Sequence, residues 1–223
     1  MFAHLTLNWQ FFVGAAAIAV IAYLLGSINF AIITTKIKAH EDIRDYGSGN
    51  AGMTNVLRTQ GKGPAAIVTA GDFLKGVFAV GIGYLIALWL MGPDSFRFGG
   101  YIGCLFVILG HLFPVFYQFK GGKGILAAAG SILLLDPFVF LAVLGTFLIV
   151  VLCSKIVSLA SLSAAVVFPI AMFLLRWLQH SPDLLFEGIF ALVISALIIF
   201  MHRQNINRLV HGTENKFGKK KQG

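Results

Sequence analysis

Five stretches of this 223-residue chain are apolar for nearly the length that crosses a bilayer: 11–33, 64–91, 98–117, 156–175 and 184–201. The hydrocarbon core is about 30 Å thick and holds no water, so every backbone N–H and C=O inside it must bond within the protein. Only helices and closed barrels meet that demand, and these runs lack the apolar/polar alternation of a barrel strand. They therefore read as helices. Between Gly124 and Cys153 the chain is again apolar but is interrupted by Asp136-Pro137. Proline suits the first turn of a helix and not its middle, so this region is predicted as two pieces, 124–135 and 138–153. The expected fold is an all-α integral membrane protein with seven transmembrane helices in one multi-span domain, 1–223.

The basic residues fix the expected orientation. Lys36, Lys38, Arg44, Arg58 and Lys62 follow the run 11–33; Lys120 and Lys123 follow 98–117; Lys155 follows the piece 138–153; Arg203, Arg208, Lys216 and Lys219–Lys221 follow 184–201. The alternate loops hold only Arg97 and Arg176. Cytoplasmic loops are the ones enriched in Lys and Arg. Seven crossings put every basic loop on that side, with the N-terminus outside and the C-terminus cytoplasmic; six would place the basic tail opposite the loop at Lys120. No Lys or Arg precedes Lys36 and no small-residue cleavage site is evident, so the first run reads as a retained span.

The chain is 58% hydrophobic and 12% charged, with a pI near 9.7. Its cations lie where a membrane face meets anionic lipid, which points to lipid and anionic substrates and not to nucleic acid. Cys104 and Cys153 both sit in apolar runs, unlike a disulfide framework or a zinc site. No metal ligand cluster and no Ser-His-Asp triad is expected.

Three polar blocks interrupt the apolar pattern on the basic side. The first, "DIRDYGSGNAGMTNVLR" (42–58), is loop-like and can start a short helix after Ala51. Backbone N–H groups there, with Ser48, Asn50, Thr54, Asn55 and the Arg58 fork, make a candidate anion cradle. Its "GSGNAG" satisfies G-x-G-x-x-G, but with no preceding strand it is not a dinucleotide fingerprint. "HEDIRD" has the H-x-x-x-x-D spacing of a His general base oriented by a carboxylate, a pattern loose enough to arise by chance. The second block, "GHLFPVFYQFKGGKG" (110–124), lacks the P-loop spacing but shares its physics. Gly121, Gly122 and Gly124 let backbone approach an oxyanion, Lys123 adds a point charge, and the next helix adds its positive end. His111 reads as a helix-packing histidine. The third block, "HRQNINRLVHGTEN" (202–215), sets His202 and Asn205 three apart, on one face of any continuing helix. Within the second run, Asp72 and Lys75 are also three apart. Intramembrane charges are costly and are usually paired, so this pair is expected to support the site from beneath.

The ordered blocks "GSGNAGMTNVLR", "GHLFPVFYQFKGGKG" and "HRQNINRL..GTE" over nearly the whole chain resemble the bacterial acyl-phosphate:glycerol-3-phosphate acyltransferase family. The resemblance implies transfer of a fatty acyl group from acyl phosphate to the first hydroxyl of glycerol 3-phosphate at the cytoplasmic face of the cell inner membrane. It implies no cofactor, and a functional link to an enzyme that makes acyl phosphate. Carried over by position, Ser48, Arg58, Lys123, His202 and Asn205 are expected to be catalytic. Asn50, Thr54, Asn55, Gly121, Gly122 and Gly124 would bind phosphate, with Ser158 and Ser161 reaching glycerol phosphate and Glu214 supporting structure. Met53 departs from the alanine expected in the family. The general base stays open between His202 and a substrate phosphate oxygen. A transporter of an organic phosphate anion is the alternative reading, although alternating access calls for a site near the midplane.

Overall fold

The computed structural model describes residues 8–216, which are helical and turn structure with no strand. They form helices α1 (Trp9–Ser27), α2 (Phe30–Ala39), α3 (Met53–Gln60), α4 (Lys62–Ile86, extended by a π turn at Ala87–Met91), α5 (Phe96–Leu112), α6 (Ile125–Leu135), α7 (Pro137–Ser154), α8 (Val157–Leu178), α9 (Leu184–Met201) and α10 (Arg203–Val210). Six segments are long and apolar enough to span a membrane: Trp9–Ala39, Lys62–Met91, Pro93–Tyr117, Pro137–Ser154, Val157–Leu178 and Leu184–Met201. Helix α6, with 11 residues, covers only about 16 Å at 1.5 Å per residue. The Lys219–Lys221 run lies outside the described residues.

The first apolar run, expected as one helix over 11–33, is two. Helix α1 stops at Ser27, and Asn29 restarts the chain as the N-cap of α2, its side chain accepting from the Ile32 N–H at 3.0 Å. A side-chain acceptor at an N-cap satisfies one of the helix's orphan donors, which is how one asparagine breaks an otherwise apolar run.

The chain packs as two compact units divided between Asp136 and Pro137. In the first, α1 lies on α5, α5 on α4, and α4 on α6. At glycines the helices approach backbone to backbone. A Cβ on Gly26 or Gly110 would overlap the facing carbonyl across α1 and α5, and one on Gly76 or Gly130 the facing carbonyl across α4 and α6. Close approach at small residues is how helices gain packing in lipid, where burial of apolar surface gives no preference. In the second unit α7 packs on α8 and α8 on α9. There Ser195 Oγ donates to Ala165 O at 2.6 Å, and buried Arg176 pairs with Glu187 and donates to Gln179 Oε1 at 2.7 Å.

Candidate active site

In the first block, Asp42 caps a 3-10 turn at Ile43–Asp45, and α3 begins after Gly52. Asn55 organises everything between. Its Nδ2 donates to the carbonyls of Ile43 (3.1 Å), Tyr46 (2.9 Å) and Asn50 (3.1 Å), and its Oδ1 accepts from the Ser48 N–H (3.0 Å). Expected as a phosphate ligand, Asn55 is buried and its amide is spent on shaping the loop. Gly47 turns beside it at φ +60°, where a Cβ would overlap Asn55 Oδ1; left-handed backbone and close approach both require glycine here. Ser48 and Arg58 are left exposed, with Asn50 and Thr54 half-buried. Beneath lies an apolar plug of Ala31, Ile32, Ile43, Ala51, Val56, Ala65 and Val68, and Met53 packs against it. His40 and Asp45, the loosely spaced pair, are both exposed.

The glycines of the second block do something other than expected. The Gly121 N–H donates to Leu112 O at 3.2 Å and the Gly122 N–H to His111 O at 3.1 Å. Both amides thus satisfy carbonyls at the end of α5, orphans of the kind every helix C-terminus leaves, and are not turned to an anion. These two residues are glycine for space. A Cβ on Gly121 would overlap His111 O, and one on Gly122 would overlap His111 Nε2 and Ala51 O. Gly122 is therefore a seam between the two blocks. Gly124 differs: at φ +81° it is the N-cap of α6, with no side-chain cap bond. The first turn of α6 follows half-buried Lys123, so the positive end of the helix and a cation lie side by side.

Arg44 ties the blocks together, and sequence reading missed it. Its Nε and Nη2 engage Asp42 at 2.6–3.1 Å, while Nη1 donates to Tyr117 O (3.0 Å) and Lys120 O (3.3 Å). The hydrogen bond from Arg44 holds the Asp42 carboxyl below the usual carboxylate range, and Asp42 in turn pushes the guanidinium up. The available signal was a cation flanked by two aspartates in a short polar loop. Beneath, Asp72 and Lys75 form the expected ion pair at 2.8 Å, both buried.

In the second unit the helix does not run straight through the third block. Helix α9 ends at Met201 and α10 restarts after His202. The His202 ring is buried, and its Nδ1 lies 2.8 Å from Ile198 O. A carbonyl only accepts, so Nδ1 carries the proton and Nε2 is the acceptor in the neutral ring. Glu214 accepts from Asn205 Nδ2 at 3.2 Å and from Arg208 Nε at 2.7 Å. At the start of α8, Ser161 Oγ donates to Val157 O at 3.0 Å, while Ser158 Oγ is buried with no hydrogen-bond partner among the described residues.

A family model described as glycerol-3-phosphate acyltransferase matches residues 16–212. The chain belongs to the glycerol-3-phosphate acyltransferase family. A relative of that name from Bordetella pertussis is 42% identical over 98% of this chain and 99% of its own length. Another, from Thermoanaerobacter sp., is 45% identical over 92% and 97%. Crystal structures of PlsY (YgiH), described as an integral membrane glycerol 3-phosphate acyltransferase, resemble this chain at 40% identity over 92% of its length. The glycerol 3-phosphate form has a TM-score of 0.76 and covers 96% of that chain; the lysophosphatidic acid form has 0.75 and 95%. This member of the glycerol-3-phosphate acyltransferase family is thus an enzyme and a multi-pass membrane protein.

Proposed function

We propose that this acyltransferase moves a fatty acyl group from acyl phosphate to the first hydroxyl of glycerol 3-phosphate, giving 1-acyl-glycerol 3-phosphate and inorganic phosphate, the first acylation of phospholipid synthesis. The hydroxyl oxygen attacks the acyl carbonyl carbon, the carbon–oxygen bond to phosphate breaks with its electron pair on phosphate, and the hydroxyl proton ends on that phosphate. Acyl phosphate is already activated, so no covalent enzyme intermediate is needed. Both substrates are anions, and holding them together against repulsion is the main task.

The observation that carries this reading is the first turn of α6, opened by left-handed Gly124 next to Lys123, with Gly122 packed against the first block. Arg58, Ser48, Asn50 and Thr54 add cationic and hydrogen-bonding groups to that side, with Gly121, Gly122 and Asn55 holding the loops in shape. His202 and Asn205 are assigned to the glycerol head through the resemblance. On that assignment His202 orients the substrate hydroxyl while a phosphate oxygen takes the proton. Glu214 supports Asn205 and Arg208. Ser158 and Ser161 are assigned to the glycerol phosphate through the same resemblance, and the buried, unpartnered Ser158 hydroxyl supports that assignment. The charge pattern supports seven crossings with the site cytoplasmic, α6 counted as one, and the bacterial inner membrane follows from the family resemblance.

Proteoliposomes test the reading against transport. Supplied outside with labelled glycerol 3-phosphate and acyl phosphate, they are expected to form labelled lysophosphatidate. Accumulation of unmodified label inside, without acylation, would overturn the reading in favour of a carrier.

A further inference from the structure

Lys75 is 2% exposed and Asp72 1%. Neutralising a buried ammonium requires one carboxylate, yet Lys75 does more. Its Nζ lies 2.8 Å from Asp72 Oδ1 and donates to Gly26 O (3.0 Å) and Ile28 O (2.8 Å), carbonyls at the break between α1 and α2. It also lies 2.8 Å from His111 Nδ1. An ammonium only donates, so Nδ1 accepts and the ring proton sits on Nε2, the edge that abuts Gly122.

Both flanks of Gly122 lead back to this ammonium. On one side His111 grips Gly122 twice, by its carbonyl accepting the Gly122 N–H and by its ring. On the other stands Ala51 O, which accepts from Asn29 Nδ2 at 3.3 Å, and Asn29 is the residue after the Ile28 whose carbonyl Lys75 holds. We propose that Lys75 and His111 are positioning residues, which set the spacing between the first block and the glycine loop and so the affinity for a phosphate-bearing substrate. This rests on the proposed acyl transfer for its activity readout only. A buried ammonium that bonds two backbone carbonyls and an imidazole and is ion-paired to Asp72 ties those neighbours to one arrangement, whereas an apolar replacement would leave the seam free to shift.

Lys75→Met alone would strand the Asp72 carboxylate, so the test uses the double variant Asp72→Asn/Lys75→Met and, independently, His111→Asn, which keeps an acceptor for Lys75 but empties the space beside Gly122. Folded, monodisperse protein is assayed for KM and kcat, and for glycerol 3-phosphate binding by calorimetry. The expected result is KM for one phosphate substrate raised about tenfold or more with kcat per folded molecule within about threefold, the signature of lost binding and not lost chemistry. Wild-type KM values for both substrates in His111→Asn, whatever its melting temperature, would overturn the proposal, and a fall in kcat alone would do the same. If the double variant does not fold, His111→Asn decides. Wild-type protein that binds glycerol 3-phosphate but does not turn over acyl phosphate would sink the functional reading alone; binding of glycerol 3-phosphate then decides, with weakening in His111→Asn supporting the proposal and wild-type affinity overturning it.

Discussion

Arg44 is the side chain whose removal most directly separates the two loops, because one guanidinium spans a carboxylate and two carbonyls. A partly exposed pair of this kind contributes little to global stability, about 0–1 kcal/mol. Arg44→Ala is therefore expected to leave the melting temperature nearly unchanged while raising KM for a phosphate substrate about three- to tenfold. Arg44→Lys should not restore it, since a point charge cannot reproduce the planar fork. The pH dependence has a definite sign. The Asp42 carboxyl titrates below its usual value when folded, so its stabilising contribution is complete above about pH 5 and is lost as pH falls below about 4. Protection against hydrogen exchange in the 42–46 loop, taken relative to the intrinsic rate at each pH, should thus be insensitive to this group from pH 5 to 8 and should fall below about pH 4, a change that Asp42→Asn removes. Gly122→Ala places a methyl on His111 Nε2 and Ala51 O and is expected to raise KM for one phosphate substrate about tenfold or more, beyond any loss of folded yield. Equal losses of yield and activity would mean that the seam serves packing only. What sequence could not reveal is which amides are spoken for. Glycines 121 and 122 look like anion ligands until their N–H groups are found on α5 carbonyls, and Asn55 looks like a ligand until its amide is traced into its own loop.

Helices were legible where composition alone forces them, and their ends were legible where a residue type does. Asp136 ends α6 and Pro137 begins α7, as proline chemistry requires. The Asp72–Lys75 pair was readable because three residues on a helix place both charges on one face. The break at Ile28–Asn29 escaped notice because its signal is one asparagine within an apolar run, and the break at His202 because nothing local distinguishes a turn from a continuing helix. Lys75 could be paired with Asp72 from sequence, but not with carbonyls at the break between α1 and α2 or an imidazole from α5, since those partners are set by tertiary packing. Topology is tested at this scale. In a background lacking Cys104 and Cys153, single cysteines at Asp94 and Ser181 should react with an impermeant reagent outside intact cells, whereas those at Gly61 and Lys219 should not. Labelling at Lys219 would contradict seven crossings.

For the molecule as a whole, the family resemblance carried by three blocks agreed with the family model and with relatives over nearly the full chain. Blocks of loop chemistry survive in sequence because their spacing is local. The choice of acyl donor does not, because it depends on how loops share out two phosphates. The most direct measurement is acyl transfer by the purified protein to glycerol 3-phosphate, with acyl phosphate and acyl-CoA as competing donors and with phosphate release followed alongside lysophosphatidate. The proposed function predicts transfer from acyl phosphate, one phosphate released for each acyl group moved, and negligible transfer from acyl-CoA. Efficient transfer from acyl-CoA, with none from acyl phosphate, would contradict it.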